Sequence, residues 1–143
     1  MTRMPATLCL MNETITTAQG NNDVLIPKTV VQGLARAKSI GFQCNFTYGS
    51  GGTSATVLIQ TSLDGGNSWV DVINFNHATA SLNRYANVTS TTGVVTDYYV
   101  LTNGGLGFDT AVDGLLGDQW RVLFYSVGTY ANTTLQVFAT ARD

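Results

Sequence analysis

The chain has 143 residues, the usual size of one domain with one core, and 44% of it is hydrophobic. Only 11% is charged, against about 25% in a typical globular protein. A net charge of −2, a pI near 5.1 and seven scattered basic residues exclude a nucleic-acid role, which needs a dense Lys/Arg patch. The aromatic and β-branched content excludes disorder, so Thr, Ser, Asn, Gln and Gly must cover the surface.

In chain order, Thr7 to Met11 and Asp23 to Ile26 are expected as short strands, with Pro27 ending the second or placing it at a sheet edge. Residues 1–20 are polar and weakly patterned, which suits an extended N-terminal arm reaching a neighbour. Val30 to Ala37 has some helical character, weakened by Gly33. From Ile40, apolar Ile40, Phe42, Cys44 and Phe46 alternate with Gly41, Gln43 and Asn45, the pattern of a half-buried strand. Ala55 to Ser62 and Trp69 to Phe75 form the next strand pair, followed by Asp97 to Thr102, Gln119 to Ser126 and Thr133 to Thr140. The polar stretch Asn76 to Gly93 is expected to be a long loop. About seven or eight strands at this spacing predict a single all-β domain over 1–143, a two-sheet antiparallel β-sandwich of jelly-roll type, with a β-barrel as the alternative.

The two strands of the central pair are joined by Ser62-Leu63-Asp64-Gly65-Gly66-Asn67-Ser68-Trp69. This string resembles the Asp-box hairpin, Ser-x-Asp-x-Gly-x-Thr-Trp, with Ser68 where Thr is usual. The structural residues are Ser62, Asp64, Gly65, Gly66 and Trp69: the carboxylate accepts backbone N–H groups, the glycines supply positive φ, and Trp69 is expected to enter the core. A calcium site from Asp64 and Asn67 would have too few oxygen ligands.

No residue pattern points to catalysis, a metal or a cofactor. His77 is the only histidine, in a polar stretch that reads as surface loop, and there is no nucleophile-elbow pattern. Cys9 and Cys44 read as small buried hydrophobes, and a disulfide between them is not expected. Asp97, Asp109, Asp113 and Asp118 stand at turns or strand ends, where Asp caps backbone groups. No membrane span or secretory signal is visible, so synthesis in a cytoplasm is expected.

Residues Val57 to Val72, Gly117-Asp118-Gln119-Trp120-Arg121-Val122 and the closing stretch from Thr133 to Arg142 resemble small virion structural proteins of tailed bacteriophages. That resemblance implies a non-enzymatic capsid decoration or cement protein on the virion surface, binding the major capsid protein, or a neck or tail adaptor. A homo-oligomer is expected, a trimer suiting local threefold axes. From a different class, a carbohydrate- or receptor-binding module would use exposed rings among Tyr48, Tyr85, Tyr98, Tyr99 and Tyr130.

Overall fold

The computed structural model describes residues 7–15, 26–90 and 105–142, with the side chains of residues 26–29 left aside. One sheet, here sheet A, has the order β1 (Leu8–Ile15), β11 (Thr133–Arg142), β3 (Ser39–Thr47), β7 (Leu82–Thr89). Sheet B has the order β2 (Ile26–Val31), β9 (Gln119–Val127), β5 (Ser54–Ser62), β6 (Val70–His77), β8 (Thr110–Ala111). A two-residue ladder of β4 (Ser50–Gly51) with β10 (Tyr130–Ala131) joins the loops at one end. Every pairing is antiparallel. Both sheets end in edge strands, so the fold is an all-β sandwich and the barrel alternative is set aside.

The core lies between the two inner faces. Sheet A contributes Ile40, Phe42, Cys44 and Phe46 from β3, Leu135, Val137, Ala139 and Ala141 from β11, and Leu10, Met11 and Ile15 from β1. Sheet B answers with Val57 and Ile59 from β5, Val72, Ile73 and Phe75 from β6, and Trp120, Val122 and Phe124 from β9. Across the layers, the Phe42 and Trp120 rings meet at 5.3 Å between centroids, and the indole N–H of Trp120 donates to Gly117 O at 3.1 Å. The bonded N–H lets a large ring sit in the core without an orphaned donor.

The two outer faces differ. On sheet B, outward-facing Leu58 is 1% exposed, and Gln60, Asp71 and Leu123 are also buried, so this face is already covered. Part of the cover is the segment at Leu106, whose N–H donates to Asp71 Oδ2 at 2.8 Å and whose carbonyl accepts from Asn74 Nδ2 at 2.8 Å. Beneath it runs a polar chain: Arg121 Nε donates to Gln60 Oε1 at 2.7 Å, and Gln60 Nε2 to Asp71 Oδ1 at 2.7 Å. Sheet A keeps the plain alternation of a half-buried sheet, with a polar outer face.

Several expectations are corrected. The expected loop from Asn76 to Gly93 is not borne out over its described part: Leu82–Thr89 forms β7, an edge strand whose polar residues hide its pattern, and residues 91–93 lie outside the described residues. Val30 to Ala37 holds no helix, since Val30 and Val31 belong to β2 and a turn follows at Arg36. Of the supposed arm 1–20, Leu8–Ile15 pairs with β11 inside sheet A. Trp69 does not enter the core. It is half-buried beside the hairpin, with the Arg121 guanidinium 4.4 Å above its ring. Pro27 sits in an edge strand, as one of its two readings required. Asp97 to Thr102 and most of Asp23 to Ile26 lie outside the described residues.

Candidate binding surface

The residues most suggestive of chemistry meet inside the sandwich. Cys44 on β3 and His77 at the end of β6 both point inward, with Sγ 3.3 Å from Nε2. The imidazole lies flat on Phe46, at 4.7 Å between centroids and 12° between planes. His77 is therefore a buried strand residue, not a surface loop residue, because its parity matches Ile73 and Phe75. Arg84 stands opposite Cys44 in the β3–β7 register and pairs with Asp109 at 3.0 Å.

These surroundings hold both groups in unreactive forms. Burial pushes the Cys44 thiol up to about 12, opposed only in part by Arg84. Burial, then the Arg84 charge, pulls His77 down to about 4, against the smaller pull of Asp109. His77 Nδ1 is buried with no hydrogen-bond partner among the described residues, so a protonated ring would carry an unmatched donor there. A thiol nucleophile must ionise near neutral pH and a base must be able to take its proton. Neither condition is met, and the pair acts as core.

The Ser62 to Trp69 hairpin is a closed hydrogen-bonded unit. Asp64 Oδ1 accepts from Ser62 Oγ at 2.8 Å and from Ser68 N at 2.9 Å, and Oδ2 accepts from Ser68 Oγ at 2.6 Å. Gly66 N donates to Ser62 Oγ at 2.8 Å, and Gly65 and Gly66 both take positive φ. The Ser68 hydroxyl first, then the Ser68 N–H and Ser62, hold the Asp64 carboxyl down at about 2. Both its oxygens are engaged in the turn.

The other carboxylates named from the sequence also serve the backbone. Asp113 Oδ1 accepts from Thr89 N at 2.6 Å and Gly114 N at 2.9 Å, Asp118 Oδ1 from Gly33 N at 3.1 Å, and Asp109 Oδ1 from Asn76 N at 3.2 Å. Asp97 lies outside the described residues. Both described cysteines are free thiols; Cys44 is buried, but Cys9 is exposed and faces away from the core, which corrects its reading as a buried hydrophobe.

The free surface is the outer face of sheet A. It runs from Cys9, Asn12 and Thr14 on β1, through Thr134, Gln136, Phe138 and Thr140 on β11 and Gly41, Gln43, Asn45 and Thr47 on β3, to Asn83, Tyr85 and Asn87 on β7. None of these side chains is charged; Arg142 marks the rim. A groove of about 670 Å³ crosses the face, lined by Gly41, Gln43, Asn45, Tyr85, Asn87, Phe138, Thr140 and Arg142. Register places Phe138 and Tyr85 on either side of Gln43, two strand spacings or about 10 Å apart.

Gly41 gives the groove its floor. A Cβ there would meet only Asn87 Oδ1, at 3.8 Å, and the residue needs no left-handed backbone. The fold itself would accept a side chain at this position, and glycine keeps the space open. Among the tyrosines weighed from the sequence, Tyr85 is 68% exposed. Tyr130 is fully buried, its hydroxyl donating to Ala78 O at 2.8 Å, and Tyr48 is half-buried with its hydroxyl on Gly51 O. Tyr98 and Tyr99 lie outside the described residues. Gly41, Gln43, Asn45 and Phe138 were not singled out from the sequence; their outward parity beside the buried Phe42, Cys44 and Val137 was the available signal.

No protein-family model matches this chain, and neither a curated protein nor a solved structure does.

Proposed function

We propose that the protein is a non-enzymatic virion structural protein, a capsid decoration or cement protein that seats on the major capsid protein and adds to the stability of the shell. The observation that carries this reading is the outer face of sheet A, uncharged apart from Arg142 at its rim, where amides, hydroxyls and the rings of Tyr85 and Phe138 reach the surface while the opposite sheet is already covered. A face meant for solvent alone is usually rich in Lys and Glu, whereas contact cores are depleted of charge and enriched in aromatics. The low overall charge and the likeness of the Val57 to Val72 stretch to phage virion proteins support the same reading. Repetition on a lattice favours a symmetric oligomer, a trimer matching local threefold sites. The test is co-sedimentation of the purified protein with capsids assembled from the major capsid protein of the same genome. Saturable binding at a fixed ratio to capsid subunits, with a raised capsid disruption temperature, is expected; a protein left wholly in the supernatant refutes the reading.

The groove floor favours one second reading, a carbohydrate-binding module. Exposed Tyr85 could stack on a sugar ring while Gln43, Asn45 and Asn87 bond its hydroxyls above the open space at Gly41. A glycan array separates the two: binding lost in Gly41→Leu would promote the second reading, and a flat array removes it.

A further inference from the structure

Sheets expose unpaired backbone at their edges, and proteins blunt those edges with bulges, prolines, lysines or short strands. Three of the four edges here are blunted in such ways. The β1 pairing is broken by a register shift between Cys9 and Met11, β2 carries Pro27, Lys28 and a shift, and β8 is two residues long. The fourth edge is β7. It pairs with β3 without interruption from Ser39–Thr89 to Phe46–Leu82 and holds neither proline nor lysine; its one inward charge, Arg84, is matched by Asp109 at 3.0 Å.

The outward side of β7 can be assigned residue by residue. Thr89 N–H points away from β3, since it donates to Asp113 Oδ1 at 2.6 Å, while Ser90 N donates inward to Lys38 O. In an antiparallel ladder alternate residues face opposite partners, so Asn83, Tyr85 and Asn87 direct their N–H and C=O groups outward with Thr89. Asp113 caps the end at Thr89; the three residues before it are exposed.

Beneath that edge lies a second cavity, of about 360 Å³, between β6, β7 and β8. Its walls are mixed: Ile73, Phe75, Leu82, Ala86 and Ala111 stand beside Asn74, Asn83, Thr110 and the Arg84–Asp109 ion pair. The volume is within the range of formed ligand sites, about 300 to 1,000 Å³. A strand added to β7 would send alternate side chains toward this space.

We infer that β7 is an acceptor edge that adds an extended strand from another protein chain, one inward side chain of which is uncharged and amphipathic, packing its stem beside Ala86 and Phe75 and turning a polar head to the Asn74 and Thr110 side of the cavity. A bare row of backbone donors and acceptors is complemented along its length by another extended backbone, the mode known as strand addition. A second copy of β7 is a poor occupant. Antiparallel self-pairing centred on Tyr85 would set Arg84 of each copy opposite Ala86 of the other, so the side chain offered beside Ala86 would be a guanidinium already held by its own Asp109 and not an uncharged group free to enter the cavity. The inference is independent of whether the partner is a capsid protein.

The probe is a displayed library of random heptapeptides selected against the folded protein. Expected are enriched peptides with an uncharged residue of mixed character, such as Thr, Gln or Met, at one of the alternate inward positions, and slowed amide exchange at Asn83, Tyr85 and Asn87 when a selected peptide is bound. Asn87→Pro removes an outward N–H while leaving the β3 ladder its bonds, so it should weaken binding by about tenfold or more with the thermal midpoint little changed. Asn87→Ala should bind as the wild type does. No enrichment, protection elsewhere, or an Asn87→Pro variant that is folded and binds fully overturns the inference. A homodimer that Asn87→Pro dissolves overturns it too, by making the second copy the occupant. Should Asn87→Pro fail to fold, the exchange pattern on the wild type decides.

Discussion

Cys44 and His77, 33 residues apart in the chain, meet in the core with sulfur and nitrogen 3.3 Å apart. In a solvated cleft such a pair would suggest a thiol nucleophile and its base. Here burial favours both neutral forms; the Arg84 charge across the strand adds to this for the ring lying against Phe46 and only partly opposes it for the thiol. The contact works as packing, and its consequences fall on stability.

His77 makes stability depend on pH in a definite direction. Its native value is lowered from 6.5 to about 4, so the unfolded chain binds the proton more readily. The stabilisation is complete above 6.5, erodes as pH falls toward 4, and is lost below that. A shift of this size corresponds to an effect on the order of 3 kcal/mol, at about 1.4 kcal/mol per unit. Urea unfolding of wild type and His77→Phe from pH 7 to pH 4 should show the variant losing less stability over this window.

The two cysteines should differ in reactivity. Cys9 is exposed on β1, whereas the Cys44 thiol is buried and pushed up to about 12. Alkylation at pH 8 followed by mass mapping is expected to label Cys9 in the native protein and Cys44 only after denaturation. Native labelling of Cys44 at a comparable rate would mean that the sandwich opens at β3.

Much of the sandwich was legible because half-buried strands write their burial as alternation. Ile40, Phe42, Cys44 and Phe46 on β3, and Leu135, Val137 and Ala139 on β11, are inward, as their spacing required. β7 was not legible. Its outward residues Asn83, Tyr85 and Asn87 are polar or amphipathic, its inward row includes Arg84, and an edge strand buries little enough to leave no stripe. His77 was misread because Asn76 and Ala78 look like loop, although its parity with Phe75 continued the inward row. The groove escaped notice for a related reason: residues from three strands converge on it, and strand order is not written locally.

Asp64 should matter for the hairpin in a pH-dependent way. Its carboxyl is held at about 2 by the Ser68 hydroxyl and N–H and by Ser62, below its usual 3.8. The contribution is therefore present above pH 3.8 and lost as pH falls through about 2. Asp64→Ala should lower the thermal midpoint at pH 7, and the gap from wild type should close near pH 2. Shell binding should be unaffected in the folded fraction.

The buried chain from Arg121 through Gln60 to Asp71 predicts a larger loss. Asp71→Ala removes the acceptor of both Gln60 Nε2 and Leu106 N, and takes away a negative charge near Arg121. Buried donors left unmatched cost about 1 to 3 kcal/mol each, so a destabilisation of about 3 kcal/mol is expected by denaturant titration. Asp71→Asn keeps the shape and one acceptor but turns its amide N–H toward the second donor, so it should recover only the smaller part of the loss.

Charge placed on the free face of sheet A tests the docking reading at its centre. Gln43 lies between Phe138 and Tyr85 in the groove, half-buried and on a β3 position whose neighbours are uncharged. If this face seats on a capsid protein, a new charge there must be stripped of water with no partner prepared for it. Gln43→Glu and Gln43→Lys should each weaken shell binding by roughly tenfold to a hundredfold, or about 1.4 to 2.7 kcal/mol, in quantitative co-sedimentation, while the thermal midpoint stays within a few degrees. Equal losses from both signs would mark a desolvated contact. A loss from one sign alone would mean that the partner surface is itself charged there, and no loss from either would remove this face from the interface.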